Sequence, residues 1–345
     1  MTLQSILVVG AGFSGATVAR ILAEAGHPVT VIEQRDHVAG NAHDYSNAHG
    51  IRVHSYGPHI FHTSNAEVVK FLSHFTEWLP YRHRVKALIE DGTMVTMPPN
   101  RETAAHVGAD RIIDTLYRPY TAKMWGVEIE ALDPGILNRV KIRDDLSEDY
   151  FPNDDFQAMP AQGYTALIAA MLDHPNITLH LNTSYTPDMH GPGTHVFNSM
   201  PIDAYFDFSL GELPYRSIRF HSVDLPHPSV QSVATVNFSH HGPHTRVTEW
   251  KKFPGHGDSP YWTTLTFEEP CDYRDNNYER YYPVKDIGGQ NRALYDRYAA
   301  MVPPNMTFIG RCGLYVYLDM HQAVSSAAAA ARRVLAQHDD AVAAE

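Results

Sequence analysis

Cysteine and basic residues are both scarce in this sequence. The 345 residues include two cysteines, Cys271 and Cys312, whose separation matches no metal-binding motif. Because a disulfide framework needs more cysteine than this, the composition favours a reducing, cytoplasmic compartment. The 27 lysine and arginine residues are outnumbered by 39 aspartate and glutamate residues, which gives a net charge of −12. That balance argues against a nucleic-acid partner and against an anionic membrane surface.

Long hydrophobic runs are also missing. The first apolar stretch, at residues 6–9, is too short for a signal peptide, and no basic segment precedes it. We therefore expect neither secretion nor a membrane span. Histidine is frequent, with 22 residues, but no His-Glu-x-x-His pattern occurs. His240, His241 and His244 lie in a loop with Gly242 and Pro243, which is typical of solvated surface. No metal site is predicted.

A glycine-rich turn near the amino terminus is the most informative feature that is present. Residues 6–15 read ILVVGAGFSG, and Gly10, Gly12 and Gly15 have the spacing G-x-G-x-x-G. The first glycine permits a tight turn, the second lets the backbone approach a pyrophosphate, and the third lets a helix pack against the strand. Glu33 follows the next apolar run, where its carboxylate can accept hydrogen bonds from a ribose. This pattern predicts a dinucleotide site, and a tight turn without a ligand is the alternative.

The order of predicted elements indicates an α/β protein with a Rossmann-like lobe, an inserted small helical lobe and an antiparallel β-sheet lobe. A dinucleotide stretched across such lobes is more typical of FAD than of NAD. The predicted division is 1–80 as the first part of the FAD-binding lobe, 81–98 as a β-hairpin, 99–150 as the helical lobe, 151–200 as a return to the FAD lobe, 201–285 as the antiparallel lobe, and 286–345 as the last part of the FAD lobe with a carboxy-terminal helix.

Periodicity and turn residues predict the individual elements. Helices are expected over 64–78, with Asn65 as a cap, and over 101–124 with a kink at Pro119, 163–174, 290–301 and 320–337. A hairpin turning at Asp91-Gly92 is expected within 81–97, and 41–63 reads as a loop. Further strands are expected at 178–181, 195–198, 230–238, 245–250, 262–267 and 307–310, and the last of these is expected to rejoin the amino-terminal sheet.

Four further features carry groups that suit a nucleotide and its phosphates. They are Gly57–Thr63 (GPHIFHT), Tyr117–Gly126 (YRPYTAKMWG), the arginines Arg139, Arg246 and Arg311, and Gly310–Met320 (GRCGLYVYLDM). Aromatic side chains can stack on a base, and guanidinium groups match diphosphate oxygens. Each feature also has a purely structural alternative. In the order given, these are a packed turn with a buried histidine, aromatic residues of the core, surface ion pairs, and an ordinary strand-to-helix loop.

Over nearly its whole length the sequence resembles the UDP-galactopyranose mutases. The segments that carry the resemblance are VGAGFSG, Glu33-Gln-Arg-Asp-His37, GPHIFHT, Trp125-Gly126, Thr245-Arg246, Tyr281-Tyr-Pro283 and Tyr317-Leu-Asp319. The resemblance implies an isomerase that converts UDP-galactopyranose to UDP-galactofuranose with reduced FAD. In that family N5 of the flavin attacks the anomeric carbon and displaces UDP, so the flavin is not a net redox agent. An external reductant, NAD(P)H or another donor, is implied as a partner.

The resemblance also implies roles for individual residues. Arg139 and Arg246 would grip the diphosphate as catalytic residues, together with His59 and Tyr317. Tyr120 would stack on the base. The full substrate set is Tyr120, Thr121, Trp125, Arg139, Tyr150, Asn237, Arg246, Tyr282 and Tyr317. The FAD set is Gly10, Gly12, Phe13, Ser14, Gly15, Glu33, Gln34, Arg35, Asn41, His59, Ile60, Arg311, Leu318, Asp319 and Met320.

Several positions depart from the family pattern, mainly around the nucleotide and sugar. The segment between Pro98 and Tyr117 is markedly shorter than in bacterial members. Leu116 replaces a second base-stacking aromatic, His244 a tyrosine, Trp250 a histidine and Ala39 a glycine. The substrate is therefore expected to be UDP-galactose or another sugar nucleotide, with dTDP-fucose and UDP-N-acetylgalactosamine as candidates.

Two other functions stay open at this stage. One is an FAD-dependent oxidoreductase of the amine-oxidase type, which would reduce its flavin with substrate. The other is an inactive protein that binds a sugar nucleotide without converting it.

The assembly state and one segment that is expected to move are also open. A homodimer is an open alternative for the assembly. Residues 126–148, which contain Gly126, Pro134 and Gly135, are expected to close over the substrate.

Overall fold

The computed structural model describes residues 5–131, 142–191, 193–284, 286 and 288–343. Arg139 and residues 132–141 of the predicted closing loop lie outside the described residues. Within the described ranges, no helix combines the length and apolar character needed to cross a bilayer.

The described part of the chain contains seventeen strands and nine helices. The strands are β1 Ser5–Val9, β2 Val29–Ile32, β3 Asp44–Ser46, β4 Arg52–His54, β5 Phe61–Thr63, β6 Trp78–Pro80, β7 Val85–Ile89, β8 Met94–Met97, β9 Phe156–Pro160, β10 Ile177–His180, β11 Thr194–Asn198, β12 Tyr215–Leu225, β13 Thr235–Ser239, β14 Arg246–Glu249, β15 Thr263–Asp272, β16 Tyr282–Pro283 and β17 Met306–Phe308. The helices are α1 Phe13–Glu24, α2 Ala66–Leu72, α3 Arg101–Val107, α4 Arg118–Trp125, α5 Tyr164–Leu172, α6 Ile202–Tyr205, α7 Gln290–Ala299, α8 Gly310–Gly313 and α9 Met320–Ala343.

Strand β1 is the centre of a five-stranded sheet with the order β10-β2-β1-β11-β17. All four neighbouring pairs are parallel, and helices α5 and α9 contact α1. Parallel strands buried on both faces need near-continuous apolar runs, which explains the composition of β1 and β2. The sheet joins segments that are far apart in the sequence. The expectation that the strand near 307 rejoins the amino-terminal sheet is confirmed.

A second sheet has seven strands in the order β16-β12-β15-β14-β13-β7-β8. Its pairs are antiparallel except for β13 with β7, which run parallel. The predicted hairpin at Asp91-Gly92 is confirmed as β7 and β8, and its pairing with β13 makes it the edge of this sheet. The cross-strand register sets Arg246 opposite Glu268.

Residues 41–63, predicted as a loop, contain three short strands. Strand β3 pairs with β4, and β5 pairs with β9 in the order β5-β9-β6. The loop prediction is wrong over these strands. Each is three residues long, which is too short to show a period of two among the Gly, His and Asn residues around it.

The predicted single helix over 101–124 is divided in the structure. Helix α3 ends at Gly108, which has φ of 91°. A π-helical turn over Ile113–Tyr117 then leads into α4. Pro119 lies in the first turn of α4, where a missing N–H costs no hydrogen bond, so the break comes from Gly108 rather than from Pro119.

Two other predicted helices differ in length. Asn65 caps α2 by accepting hydrogen bonds from the amides of Glu67 and Val68, as expected. The helix ends at Leu72, well before residue 78, and Trp78 begins β6. Helix α9 continues to Ala343, beyond the predicted end near 337.

Candidate active site

The glycine-rich turn between β1 and α1 borders a cavity of about 550 Å³, which we call the first cavity. Most of the predicted FAD residues line it: Gly10, Gly12, Phe13, Ser14, Gly15, Glu33, Gln34, Arg35, Asn41, His59, Arg311, Leu318 and Met320. Ile60 and Asp319, the other two members of that set, line a neighbouring cavity. The elements that build the first cavity are the carboxyl ends of β1, β2 and β11 and the amino ends of α1 and α9.

The geometry of the turn fits a dinucleotide diphosphate. Gly10 has φ of 98°, and a Cβ there would lie 2.1 Å from Ser199 Oγ. A Cβ on Gly15 would lie 1.9 Å from the carbonyl oxygen of Gly10, so only glycine lets α1 pack this close to β1. No side chain caps the amino terminus of α1. Its first-turn N–H groups and the positive end of its dipole are therefore available to phosphate oxygens.

Glu33 is buried at the end of β2, with 6% of its surface exposed. Its Oε2 accepts a hydrogen bond from the amide of Ala11 at 2.8 Å, and its Oε1 accepts one from the amide of Arg35 at 3.0 Å. The carboxylate therefore braces the turn. Since a carboxylate has about four acceptor sites, it can also accept from the hydroxyls of a ribose.

Arg35 is held rigidly at the rim of the first cavity. Its guanidinium donates to Asn41 Oδ1 at 3.1 Å and forms an ion pair with Glu279. The same group lies 4.4 Å from the ring centroid of Tyr56, a cation–π distance. These contacts fix the positions of two predicted FAD residues, Arg35 and Asn41.

A second cavity of about 340 Å³ adjoins the first. His59, Tyr281, Arg311 and Met320 line both cavities, and we call this shared wall the junction. The predicted substrate residues that line the second cavity are Tyr150, Asn237, Arg246, Tyr282 and Tyr317. Tyr120, Thr121 and Trp125 lie on α4 and are not among its lining residues.

Arg246 is the cationic centre of the second cavity. Its Nε lies 3.0 Å from Glu268 Oε2, an ion pair that is not aligned as a hydrogen bond. Its Nη2 donates to the hydroxyl of Tyr120 at 3.0 Å. The Arg246 side chain is 24% exposed and that of Glu268 only 2%. Burial opposes its charge, but Glu268 and the nearby tyrosines outweigh this and raise the pKa of Arg246, which therefore stays cationic.

Five buried side-chain atoms on residues that line the second cavity have no hydrogen-bond partner in the described part of the chain. They are Thr235 Oγ1, Asn237 Oδ1, Arg246 Nε and Glu268 Oε1 from the seven-stranded sheet, and His321 Nδ1 from α9. Buried polar atoms are nearly always paired, so an unpaired group needs a specific explanation. A polar ligand in this cavity would supply the missing partners.

Tyrosine hydroxyls surround Arg246, but they are not equivalent. The hydroxyls of Tyr150 and Tyr317 make no hydrogen bond to any described residue, whereas Tyr282 donates to the carbonyl of Met124 at 2.7 Å. Burial raises the pKa of Tyr120 to about 12, although Arg246 acts in the opposite direction. Burial also raises the pKa of Tyr150 and of Tyr282, so these phenols are neutral near pH 7. The free hydroxyls of Tyr150 and Tyr317 can donate to an anion.

The guanidinium of Arg311 is held by backbone carbonyl groups and not by a carboxylate side chain. It donates to the carbonyl of Tyr281 at 3.2 Å and to that of Leu318 at 2.8 Å, and it lies 4.6 Å from the ring centroid of Tyr317. No carboxylate among the described residues forms an ion pair with it, so its positive charge at the junction is uncompensated.

His59 lies at the junction as a neutral side chain. Its Nδ1 is 2.8 Å from the carbonyl oxygen of Gly57. Burial lowers the pKa of His59 to about 4, against the opposing effect of that hydrogen bond. The imidazole is therefore uncharged near neutral pH.

Sequence reasoning did not find Glu268 or Tyr281 as site residues. Glu268 lies in a strand that reads TTLTFEEPCD, where the adjacent Glu269 hides which acid is buried, and the predicted strand ends at 267. Tyr281 belongs to the Tyr-Tyr-Pro segment, in which only Tyr282 was selected. Its hydroxyl donates to the carbonyl of Tyr56 at 2.6 Å, which ties the junction to the segment before His59.

Three of the positions that depart from the family pattern, Leu116, Trp250 and Ala39, have distinct local surroundings. Leu116 is 1% exposed and packs in the apolar cluster beneath β7 and β8, so it offers no surface to a base. Trp250 is fully buried and its Nε1 donates to Thr266 Oγ1 at 2.8 Å. Ala39 has φ of 74°, the left-handed region that glycine adopts more easily.

Comparison with known proteins identifies the family. The UDP-galactopyranose mutase family model matches residues 115–317, and an NAD(P)-binding Rossmann-like domain matches residues 8–75. A probable UDP-galactopyranose mutase of Klebsiella pneumoniae is 33% identical over 369 residues, covering 95% of this chain and 94% of the relative. A dTDP-fucopyranose mutase of Escherichia coli is 32% identical over 374 residues, covering 94% and 97%.

The fold agrees with that of a solved structure. The crystal structure of reduced UDP-galactopyranose mutase superposes with a TM-score of 0.72 and 15% identity, covering 96% of this chain and 94% of that one. This likeness supports the predicted α/β architecture with a Rossmann-like lobe. On the family model and the curated relatives together, this chain belongs to the UDP-galactopyranose mutase family.

Proposed function

We propose that this protein is an isomerase that interconverts the pyranose and furanose forms of a sugar linked to a nucleoside diphosphate, with FAD in the first cavity. The observation that carries the proposal is the junction. A cavity built around a dinucleotide turn meets a second cavity that contains a partly buried arginine and unpaired polar atoms. A sugar nucleotide in the second cavity would therefore contact the cofactor directly.

FAD would be held by the turn, by Glu33 and by the groups at the junction. The amino end of α1 would bind the pyrophosphate, and Glu33 would accept from the adenosine ribose. When bound in its reduced state, FAD would supply a nucleophilic nitrogen for the displacement of the nucleoside diphosphate from the anomeric carbon. An external donor such as NAD(P)H would supply the electrons once, because the isomerisation itself consumes none.

Arg246 is the proposed anchor of the substrate diphosphate. Negative charge grows on the diphosphate as its bond to the sugar breaks, and a fixed guanidinium stabilises that charge. Tyr150 and Tyr317 have free hydroxyls that can donate to the same oxygens. Arg139, which lies outside the described residues, is proposed as the second cation that closes over the diphosphate.

The remaining predicted substrate residues would contact the sugar and the base. Asn237 has an unpaired Oδ1 in the second cavity and suits a ribose hydroxyl or a base amide. Tyr120 and Thr121 on α4 are proposed near the base, Trp125 near the sugar and Tyr282 near the diphosphate. The rings of Trp125 and Tyr282 lie 5.0 Å apart, edge to face.

UDP-galactose, dTDP-fucose and UDP-N-acetylgalactosamine are the candidate substrates. The burial of Leu116 leaves the base with one fewer stacking partner than the family pattern implies. A relative named dTDP-fucopyranose mutase is about as similar as one named UDP-galactopyranose mutase. The two relatives do not distinguish the candidates, so the proposed preference for a sugar nucleotide other than UDP-galactose rests on the stacking partner lost at Leu116.

An anaerobic assay of the dithionite-reduced holoenzyme tests this proposal. Each of the three sugar nucleotides is offered separately, and products are resolved by anion-exchange chromatography to give kcat/KM. We expect a furanose product and a preference for a substrate other than UDP-galactose. A far higher kcat/KM for UDP-galactose would contradict the altered preference while leaving the isomerase proposal intact.

A matched pair of arginine variants tests the anchor. Arg246→Gln should lower kcat/KM by roughly 100-fold, since removing one fixed donor from a developing anion typically costs that much. Arg219→Gln is the control, because Arg219 lies on β12 and pairs with Glu269 outside the second cavity. Equal activity of the two variants would remove Arg246 from the mechanism.

A further inference from the structure

Three histidines form a hydrogen-bonded chain that runs from the junction into the protein interior. The amide of His59 donates to His54 Nδ1 at 3.1 Å. His54 Nε2 lies 2.9 Å from His256 Nε2, and His256 Nδ1 lies 3.0 Å from the carbonyl oxygen of Pro254. We call His59, His54 and His256 the histidine chain. Two of its members are separated by 202 residues in the sequence.

The hydrogen-bond partners at the two ends favour one arrangement of the ring protons. An amide N–H can only donate, so His54 Nδ1 is unprotonated and the ring carries its hydrogen on Nε2. A carbonyl can only accept, so His256 carries its hydrogen on Nδ1 and its Nε2 is free to accept from His54. The two assignments agree at the contact between the rings. His59 Nδ1 likewise donates to Gly57, which leaves its Nε2 as an acceptor without a partner among the described residues.

The surroundings keep this pattern uncharged. His54 and His256 are each 1% exposed, and Trp250, with no exposed surface, lies 4.8 Å from His54 between ring centroids. Burial holds the pKa of His54 well below its ordinary value and lowers that of His256 to about 4. Arg52 lowers both pKa values further. A charged His54 would carry hydrogens on both nitrogens and would lose the contact to the His59 amide, and a charged His256 would lose its contact to His54.

We propose that His54 and His256 are positioning residues, which hold the peptide and ring of His59 so that its Nε2 lone pair faces the junction. The inference rests on the proposed function, because the junction is where FAD and the sugar nucleotide would meet. There His59 Nε2 would accept a hydrogen bond from a cofactor N–H or a substrate hydroxyl. His54 and His256 touch neither cavity and act only through His59.

The chemistry of His54 provides a matched pair of variants. Asparagine has an oxygen near the position of Nδ1, so His54→Asn keeps the acceptor for the His59 amide and loses the contact to His256. Glutamine reaches the position of Nε2, so His54→Gln keeps the contact to His256 and leaves the His59 amide unpaired. His195→Gln is the control, because His195 bonds Thr307 away from both cavities.

Steady-state kinetics of the reduced holoenzyme, the visible flavin spectrum and thermal melting are measured for all variants. We expect His54→Gln to lower kcat by roughly 100-fold with little change in KM, since a displacement of about 1 Å at a reacting centre has that effect. The flavin spectrum should shift in His54→Gln and remain unchanged in His54→Asn and His195→Gln. Equal kcat values for the two His54 variants would overturn the positioning role, whatever their melting temperatures.

Nitrogen-15 NMR of the histidine-labelled wild-type holoenzyme tests the chain without any substitution or any turnover. The expected result is neutral His54 with its proton on Nε2, and neutral His256 and His59 with their protons on Nδ1. A proton on His54 Nδ1, or a charged ring, would overturn the proposal. If the wild type makes no furanose from any sugar nucleotide, the proposed function fails, while the NMR and flavin spectra still decide the positioning role.

Discussion

Replacing Glu268 with glutamine should move protein stability and nucleotide affinity in opposite directions. The carboxylate of Glu268 lies 3.0 Å from Arg246 Nε and is 2% exposed. Its neutralisation leaves Arg246 without its counter-ion in the free protein. In the complex, the same change removes a negative charge that repels the diphosphate. Glu268→Gln should therefore destabilise the fold and strengthen the binding of UDP.

The expected magnitudes follow from the distances and the exposure of the pair. Breaking a fully buried ion pair costs roughly 3–5 kcal/mol. Because Arg246 is 24% exposed and can be hydrated, a loss of about 2 kcal/mol is expected here. A carboxylate about 6 Å from a diphosphate charge repels it by roughly 3 kcal/mol at an effective dielectric constant of about 20. Screening reduces that gain, so UDP should bind roughly tenfold to thirtyfold tighter.

Isothermal titration of the FAD-loaded protein with UDP, together with urea unfolding, measures both effects. Glu269→Gln is the control, because Glu269 is the next residue of β15 and contacts His221 at 2.7 Å outside the second cavity. The control should leave UDP affinity unchanged. Weaker UDP binding by Glu268→Gln would refute the reasoning, since it would mean that the carboxylate supports the ligand rather than opposing it. Unchanged binding would mean that Glu268 is already protonated.

Three further predictions concern the turn, the interior and the anchor. Gly15→Ala should abolish FAD binding, because the new Cβ would lie 1.9 Å from a backbone oxygen. The flavin-to-protein absorbance ratio of the purified protein measures this loss. Gly191→Ala is the control, because its Cβ would meet nothing within 4 Å and the ratio should stay unchanged. Burial lowers the pKa of His256 to about 4 in the folded protein, whereas the same side chain has a pKa of about 6.5 in the unfolded chain. Between about pH 6.5 and pH 4 the unfolded chain therefore binds more protons than the folded protein. The free energy of unfolding should fall by roughly 3 kcal/mol on acidification through this window, and urea titrations should find a shallower slope for His256→Leu. Tyr120→Phe should weaken UDP binding about fivefold, because Arg246 Nη2 loses its acceptor, and unchanged calorimetric affinity would show that the hydroxyl does not position the guanidinium.

The features that could be predicted from the sequence are local ones. The turn at Gly10, Gly12 and Gly15 requires particular φ values and close contacts within a short segment, so its residues alone indicate its geometry. The hairpin at Asp91-Gly92 is likewise determined by a turn preference and the alternation of its two strands. The residues of the first cavity that are far from this turn in the sequence, such as His59, Arg311 and Met320, are expected only from the resemblance to the family.

The contacts that determine the second cavity could not be predicted in this way. Arg246 meets Glu268 because β14 and β15 pair in one register, and a single-residue shift would put the acid on the other face of the sheet. The histidine chain depends on packing between segments that are far apart in sequence. The break in the predicted helix 101–124 was also placed wrongly. It occurs at Gly108, which has a positive φ, and not at Pro119.

The most direct test of the central claim compares the oxidised and dithionite-reduced holoenzyme under anaerobic conditions. Both forms are given the same sugar nucleotide, with UDP-galactose and dTDP-fucose in parallel, and the furanose product is quantified by proton NMR. We predict furanose from the reduced enzyme alone, with no net change in the flavin spectrum over many turnovers. Absence of furanose from both forms, together with bleaching of the oxidised flavin by an amine, would contradict the isomerase and indicate an oxidoreductase.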